Sequence, residues 1–263
     1  MLDTFGRFKS DEPARLKALI KNDLNLGDYF LSTNRFAEAA RQFESGLHVA
    51  KEMLESAPAD SLPEYRNDHL APLWTEMGMA QLLQGKTHEA DSSFHQAFDA
   101  YTYGLYTYFF GHIALMENNE PEALNRYREI YSAQQLGSVL FVIDRLAGLF
   151  PQKKARLDAF ASTMRKTVLD AHPEISSDET DYAFSVDKGV YASANGLWAE
   201  ALAWNEKGLV AAKRLAGQPE SSEEAKSHLL DAMLSKSFYL LYTGQADPGA
   251  YDKVIATVDT AEA

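Results

Sequence analysis

Residues 74–98 read WTEMGMAQLLQGKTHEADSSFHQAF, and residues 110–130 read FGHIALMENNEPEALNRYREI. The first stretch carries a spaced set: Trp74, Met77, Gly78, Ala90, Phe94 and Ala97. The set returns 33 residues later as Phe110, Gly111, Ala123, Tyr127 and Ile130. A fixed period of this length marks an array of helix pairs, each of which buries its apolar side only by stacking on its neighbours.

The same spacing runs outward in both directions. Leu26, Gly27 and Phe30 are followed by Ala39, Phe43 and Gly46. Gly189, Ala201 and Gly208 repeat the small residues, with Asn205 where the other pairs place an aromatic ring. A Gly followed 12 residues later by Ala and then, four further on, by an aromatic occurs three times. Chance predicts about 0.2 such cases for this composition. The spacing reads as packing. Gly and Ala on facing helices let the two axes approach, and the aromatic is expected to fill the gap to the next pair.

Helical periodicity extends the pattern to about six pairs. Asp11, Glu12 and Pro13 start the first helix after a lead-in over residues 1–10. A second helix runs from about Phe36 to Glu55. Pro72 makes the third start late or kink. The fourth ends near Gly104, and Leu105–Glu117 with Glu120–Gln134 form the third pair, turning at Asn118 and Asn119. Ser138–Phe150 with Pro151–Ala171 make a divergent fourth pair, Asp181–Ala216 a fifth, and Ser221–Thr260 a sixth that turns at Gly244–Pro248. The polar run HPEISSDET at 172–180 is the candidate hinge. The expected organisation is one helical domain over 1–263, with a candidate subdivision into 1–171 and 181–263.

These pairs resemble tetratricopeptide (TPR) repeats, through Gly27/Ala39/Phe43, Gly78/Ala90/Phe94 and Gly111/Ala123/Tyr127 above all. The resemblance implies an all-α fold, a right-handed α-α superhelix (a TPR-like solenoid) whose first helices line a concave groove. A helical groove of that kind holds a peptide or helix of a partner. The family's carboxylate clamp of Lys, Arg and Asn has no counterpart here. Its positions hold Leu24 and Asp28, Thr75 and Glu76, Leu105 and Phe109.

The formal net charge is −13. A phosphate backbone repels such a chain, so nucleic acid is not an expected partner, and anionic membrane surfaces are disfavoured for the same reason. The absence of cysteine excludes disulfides, thiolate metal sites and thiol nucleophiles. MLDTFGRFKSDE has no basic region leading an apolar run, and Val139–Phe150 is too short and too charged to cross a bilayer. A cytoplasmic, acidic protein is the expectation.

Several motifs invite chemistry. AQLLQGKT at 80–87 fits a relaxed phosphate loop, but the residues before it are helical, and such a loop must follow a strand. His88, Asp91 and His95 share a helix face that could hold a metal; Ala90, Phe94 and Ala97 mark the opposite, buried side. Trp198 and Trp204 fall close to core spacing. No nucleophile elbow or zinc-protease motif occurs. The sequence calls for no enzyme activity, cofactor or resident metal.

The groove side of the first helices carries Asp28, Met79, Leu83, Tyr108, His112 and Met116, with Leu24, Leu31 and Leu82 beside them. One reading is a hydrophobic peptide site with His112 and Asp28 as polar anchors. The other is a groove filled by the chain's own termini, by tight winding or by a second copy. The leading expectation is therefore a non-enzymatic protein- or peptide-binding module. A structural subunit or homodimer is one alternative, and a regulator that closes on a peptide signal is another.

Overall fold

The computed structural model describes residues 12–101, 107–217 and 223–243, and no strand occurs among them. The lead-in over 1–10, the Leu105 start and the Gly244–Pro248 turn with the helix expected after it lie outside those residues, whereas the fourth helix, expected to end near Gly104, ends at Ala100. Two compact units divide the chain, Met1–Glu129 and Ile130–Ala263.

The first unit holds three helix pairs: α1 (Glu12–Ser32) with α2 (Phe36–Ser56), α3 (Ala71–Leu83) with α4 (Thr87–Ala100), and α5 (Tyr108–Met116) with α6 (Glu120–Tyr127). Here α2 packs on α3, and α4 on α5. The segment between α2 and α3 is itself wound: a 3-10 turn Ala59–Ser61, one α turn Leu62–Tyr65 and a π turn Arg66–Leu70. The π turn delivers Pro72 into the first turn of α3, where a missing N–H costs nothing. The second unit holds α7 (Ala133–Leu149), α8 (Lys154–Ala171), α9 (Ser177–Ala194), α10 (Trp198–Ala216) and α11 (Glu223–Tyr242).

Four pairs turn in the same way. Asn34, Gly85, Asn118 and Gly196 have positive φ between 60° and 77°. Each lies seven residues after the pair's glycine: Gly27, Gly78, Gly111 and Gly189. The next residue donates its N–H back across the turn: Arg35 to Phe30, Lys86 to Gln81, Asn119 to Ala114 and Leu197 to Ala192, at 2.8 to 3.0 Å. This is the left-handed helix stop that satisfies otherwise orphaned carbonyls, and Gly and Asn tolerate it best.

The alanines 12 residues after each glycine, Ala39, Ala90, Ala123 and Ala201, are fully buried. The aromatic does more than reach the next pair, as Phe94 does by stacking on Phe109 of α5 at 5.1 Å. It lies on the glycine of its own pair. A Cβ on Gly78 would stand 2.5 Å from the Phe94 ring, and one on Gly111 2.7 Å from the Tyr127 ring. Gly27 sits under Phe43 more closely still. The hydrogen on Cα is therefore the seat of the ring, and all three rings are fully buried.

Two boundaries differ from the periodicity. The helix expected over Glu120–Gln134 stops at Tyr127, because Ser132 starts α7 by accepting from the Gln135 N–H at 3.2 Å. Likewise Ser176 caps α9 by accepting from Glu179 N–H at 3.3 Å. Residues 177–180 of the candidate hinge are thus the first turn of α9, and Thr180 is fully buried. The unit boundary falls between Glu129 and Ile130, so residues 172–176 form a short link inside the second unit.

Within that unit α9 packs on α7 and α10, and α11 on α10. At the α7–α9 crossing a Cβ on Gly137 would lie 2.6 Å from Ala183 Cβ and 2.9 Å from the Phe184 nitrogen. Lys188 reaches Asp144 at 2.7 Å and Ser138 reaches Asp187 at 3.0 Å across the same crossing. Trp198 is half-buried and stacks on Tyr242, ring centroids 4.3 Å apart. No described helix is long and apolar enough to cross a membrane.

Candidate functional site

The six groove residues separate by depth. Met79, Leu83, His112 and Met116 are buried, His112 completely. Tyr108 is half-buried and Asp28 is exposed. Asp28, Met79 and His112 occupy one register position, immediately after Gly27, Gly78 and Gly111. The sequence reading placed all three at a groove surface. In the structure only Asp28 offers its side chain to solvent, and the four buried side chains are packing. Surrounding protein raises the Asp28 pKa above the usual carboxylate value by partial desolvation.

His112 belongs to an aromatic cluster. Its Nδ1 lies 2.8 Å from the Tyr127 hydroxyl, and its Nε2 is buried with no hydrogen-bond partner. Tyr108 meets the imidazole edge-on, centroids 6.2 Å apart, and Phe109 stacks on Phe94 at 5.1 Å. Burial lowers the His112 pKa to about 3, so the imidazole is neutral at physiological pH. Burial also raises the Tyr127 pKa well above its ordinary value. A neutral, enclosed pair of this kind is a core device, with no path for a substrate proton.

An accessible hollow among the described residues of the first unit lies on another side of the same pairs. A pocket of about 390 Å³ is walled by α4, α5 and α6. Phe98, Phe110, Ile113 and Ala114 supply its apolar surface. Asp91, Glu117 and Glu122 stand around it with His95 and Arg126. Arg126 is held by Glu122 at 2.7 Å and lies over the Phe110 ring at 5.9 Å. His95 is drawn to Asp91 at 3.5 Å. Glu117, exposed at the end of α5, leaves the rim net acidic. The sequence reading assigned Phe110 to packing and passed over Phe98.

The metal and phosphate candidates resolve differently. Gly85 and Lys86 form the turn between α3 and α4, and the Lys86 N–H is already bonded to Gln81 O at 3.0 Å. His88 and His95 are exposed. Among the described residues, the three-donor group that converges tightly enough for a metal is Glu179, Glu224 and His228 in the second unit. The spacing of Glu224 and His228 was legible as two donors one helical turn apart. Glu179, 45 residues earlier, was not. No family model, curated protein or solved structure significantly matches this chain.

Proposed function

We propose that this chain is a non-enzymatic, cytoplasmic interaction module of the TPR-like class, whose pairs stack as a right-handed α-α solenoid. The shared glycine, alanine and turn register of four pairs supports the class. The observation that carries the function is the pocket between α4, α5 and α6: an apolar floor about 390 Å³ in volume with an acidic rim. Its chemistry fits a segment of a partner protein that offers one aromatic or branched side chain flanked by Lys or Arg. The apolar anchor supplies affinity by leaving water, and the flanking cations supply orientation and speed of encounter.

Panning a random displayed peptide library against the full chain tests this. Enriched peptides carry an apolar anchor beside basic residues. Phe98→Ala and Glu117→Lys, both at exposed positions, each weaken a selected peptide about tenfold, a loss of about 1.4 kcal/mol, with helicity unchanged. Binding indifferent to both variants overturns the assignment.

A second reading, a permanent homodimer, draws on α11. Leu234, Phe238 and Tyr242 recur every four residues there and are 38%, 47% and 54% exposed. Light scattering through a dilution series separates the two readings: a mass of one chain at all concentrations removes the dimer.

A further inference from the structure

The starts of α9 and α11 are rich in acids, and most of them have a basic partner. Asp178 pairs with Arg214 at 3.3 Å, and Asp181 with Arg165 at 2.7 Å. Glu174, just before the helix, pairs with His172 at 3.0 Å, and Glu223 on α11 with Lys226 at 2.7 Å. Glu179 and Glu224 stand apart from this scheme. Among the described residues neither meets a lysine or arginine, and the group they share is the imidazole of His228, 3.9 Å from Glu224.

One donor atom from each of Glu179, Glu224 and His228 lies within 4.8 Å of the others. The convergence is built by the fold. Ser176 caps α9 and fixes Glu179 in its first turn. Glu224 and His228 sit one turn apart on α11, on one face. Tyr182, three residues beyond Glu179, lies against the His228 ring with centroids 4.4 Å apart and planes tilted by 31°. The three groups open onto a polar cavity of about 270 Å³ that no lysine or arginine lines. Two carboxylates and an imidazole brought this close offer one nitrogen and two oxygen donors to a single cation.

We propose that Glu179, Glu224 and His228 form a divalent-cation site. One nitrogen and two oxygen donors suit a borderline ion such as Zn²⁺ over Mg²⁺ or Ca²⁺, which take oxygen alone. Three protein ligands leave a coordination position open to the cavity, for water or a small anionic ligand. Bonds of about 2.1 Å require the donors to draw in by roughly 1 Å. Glu224, the most exposed of the three, supplies that movement. The bound ion ties the start of α9 to the first two turns of α11.

The experiment uses the full chain, free of any polyhistidine tag and stripped with EDTA, titrated with ZnCl₂ by calorimetry. The expected result is one Zn²⁺ per chain with a Kd of about 1 µM or tighter and a melting rise of about 5 °C. Mg²⁺ binds at least about a hundredfold more weakly. Glu179→Gln and His228→Ala each weaken Zn²⁺ by about tenfold or more, whereas His95→Ala changes nothing. A measurement on the unaltered chain stands beside these: Co²⁺ shifts the resonances of His228 and Tyr182 before those of His88 and His95. Absence of stoichiometric binding overturns the site. So does binding that ignores Glu179→Gln and His228→Ala, or Co²⁺ shifts that begin at His88 or His95.

Discussion

The two units use one glycine register and treat it differently. In the first, Gly27, Gly78 and Gly111 each seat a ring: Phe43, Phe94 and Tyr127. In the second, Asn205 stands at the ring's position in the sequence, and no ring reaches Gly189 from its own pair. Its nearest heavy atoms are the Tyr239 hydroxyl, 3.6 Å from where a Cβ would stand, and a carbonyl at 3.7 Å. Tyr239 belongs to α11 and fills part of the space from the following pair. A small cavity of about 40 Å³ remains beside Asn205, Gly208 and Ala232. Asn205 donates to Ala232 O at 3.1 Å, and its own oxygen is buried without a partner. The glycine is thus demanded by the ring; where the ring is gone, the backbone geometry alone leaves room for a side chain.

The largest expected contrast is between the groups that face these glycines. Phe94→Ala removes a fully buried ring and should cost the first unit about 3–5 kcal/mol. Asn205→Ala removes one hydrogen bond and one unsatisfied oxygen together, and should change the second unit by about 1 kcal/mol or less. Hydrogen exchange read helix by helix assigns each loss to its unit. Equal losses would break the comparison.

A smaller effect sharpens the role of the third ring. Tyr127 is the one seated ring with a hydroxyl, and Tyr127→Phe leaves His112 Nδ1 unpaired beside an Nε2 that already lacks a partner. The expected cost is about 1–3 kcal/mol by denaturant unfolding. A neutral outcome would mean that the His112–Tyr127 bond adds little to the core.

The same histidine sets a pH dependence. Its folded pKa of about 3 lies below the ordinary 6.5, so the unfolded state binds the proton more readily. The stability of the first unit is complete above pH 6.5 and falls as pH drops from there toward 3. The slope is at most about 1.4 kcal/mol per pH unit. His112→Leu should flatten most of this limb between pH 6.5 and 5, and leave a smaller one from His69, whose pKa burial also lowers. A wild-type profile flat over that range would contradict the buried neutral imidazole.

Much of the fold was legible in the residues. The glycine–alanine spacing located the four regular pairs, because close helix contacts restrict side-chain size at fixed intervals. Asn118 and Gly85 marked their turns, because few residues accept positive φ. Depth was less legible. Register assigned His112, Met79 and Asp28 to one face, but register gives direction and not what lies beyond it. The run FFGHIALM over 109–116 holds no formal charge, and a helix apolar all round is a buried one. That signal identifies His112 and Met116 as core. The pocket rim and the Glu179–Glu224–His228 group depend on separate helices meeting, Asp91 with Glu122 across 31 residues and Glu179 with Glu224 across 45, which periodicity within one helix does not encode.

The central claim, that the ring and not the backbone requires the glycine, is tested most directly by Gly→Ala at matched positions, with stability read unit by unit through hydrogen exchange. Gly78→Ala should destabilise the first unit by about 1–3 kcal/mol, as its Cβ meets the buried Phe94 ring. Gly189→Ala should leave the second unit unchanged or stabilise it by up to about 1 kcal/mol, since alanine is the better helix former and its Cβ would meet only ordinary contacts at 3.6 Å or more. Destabilisation of similar size at both positions would contradict the account.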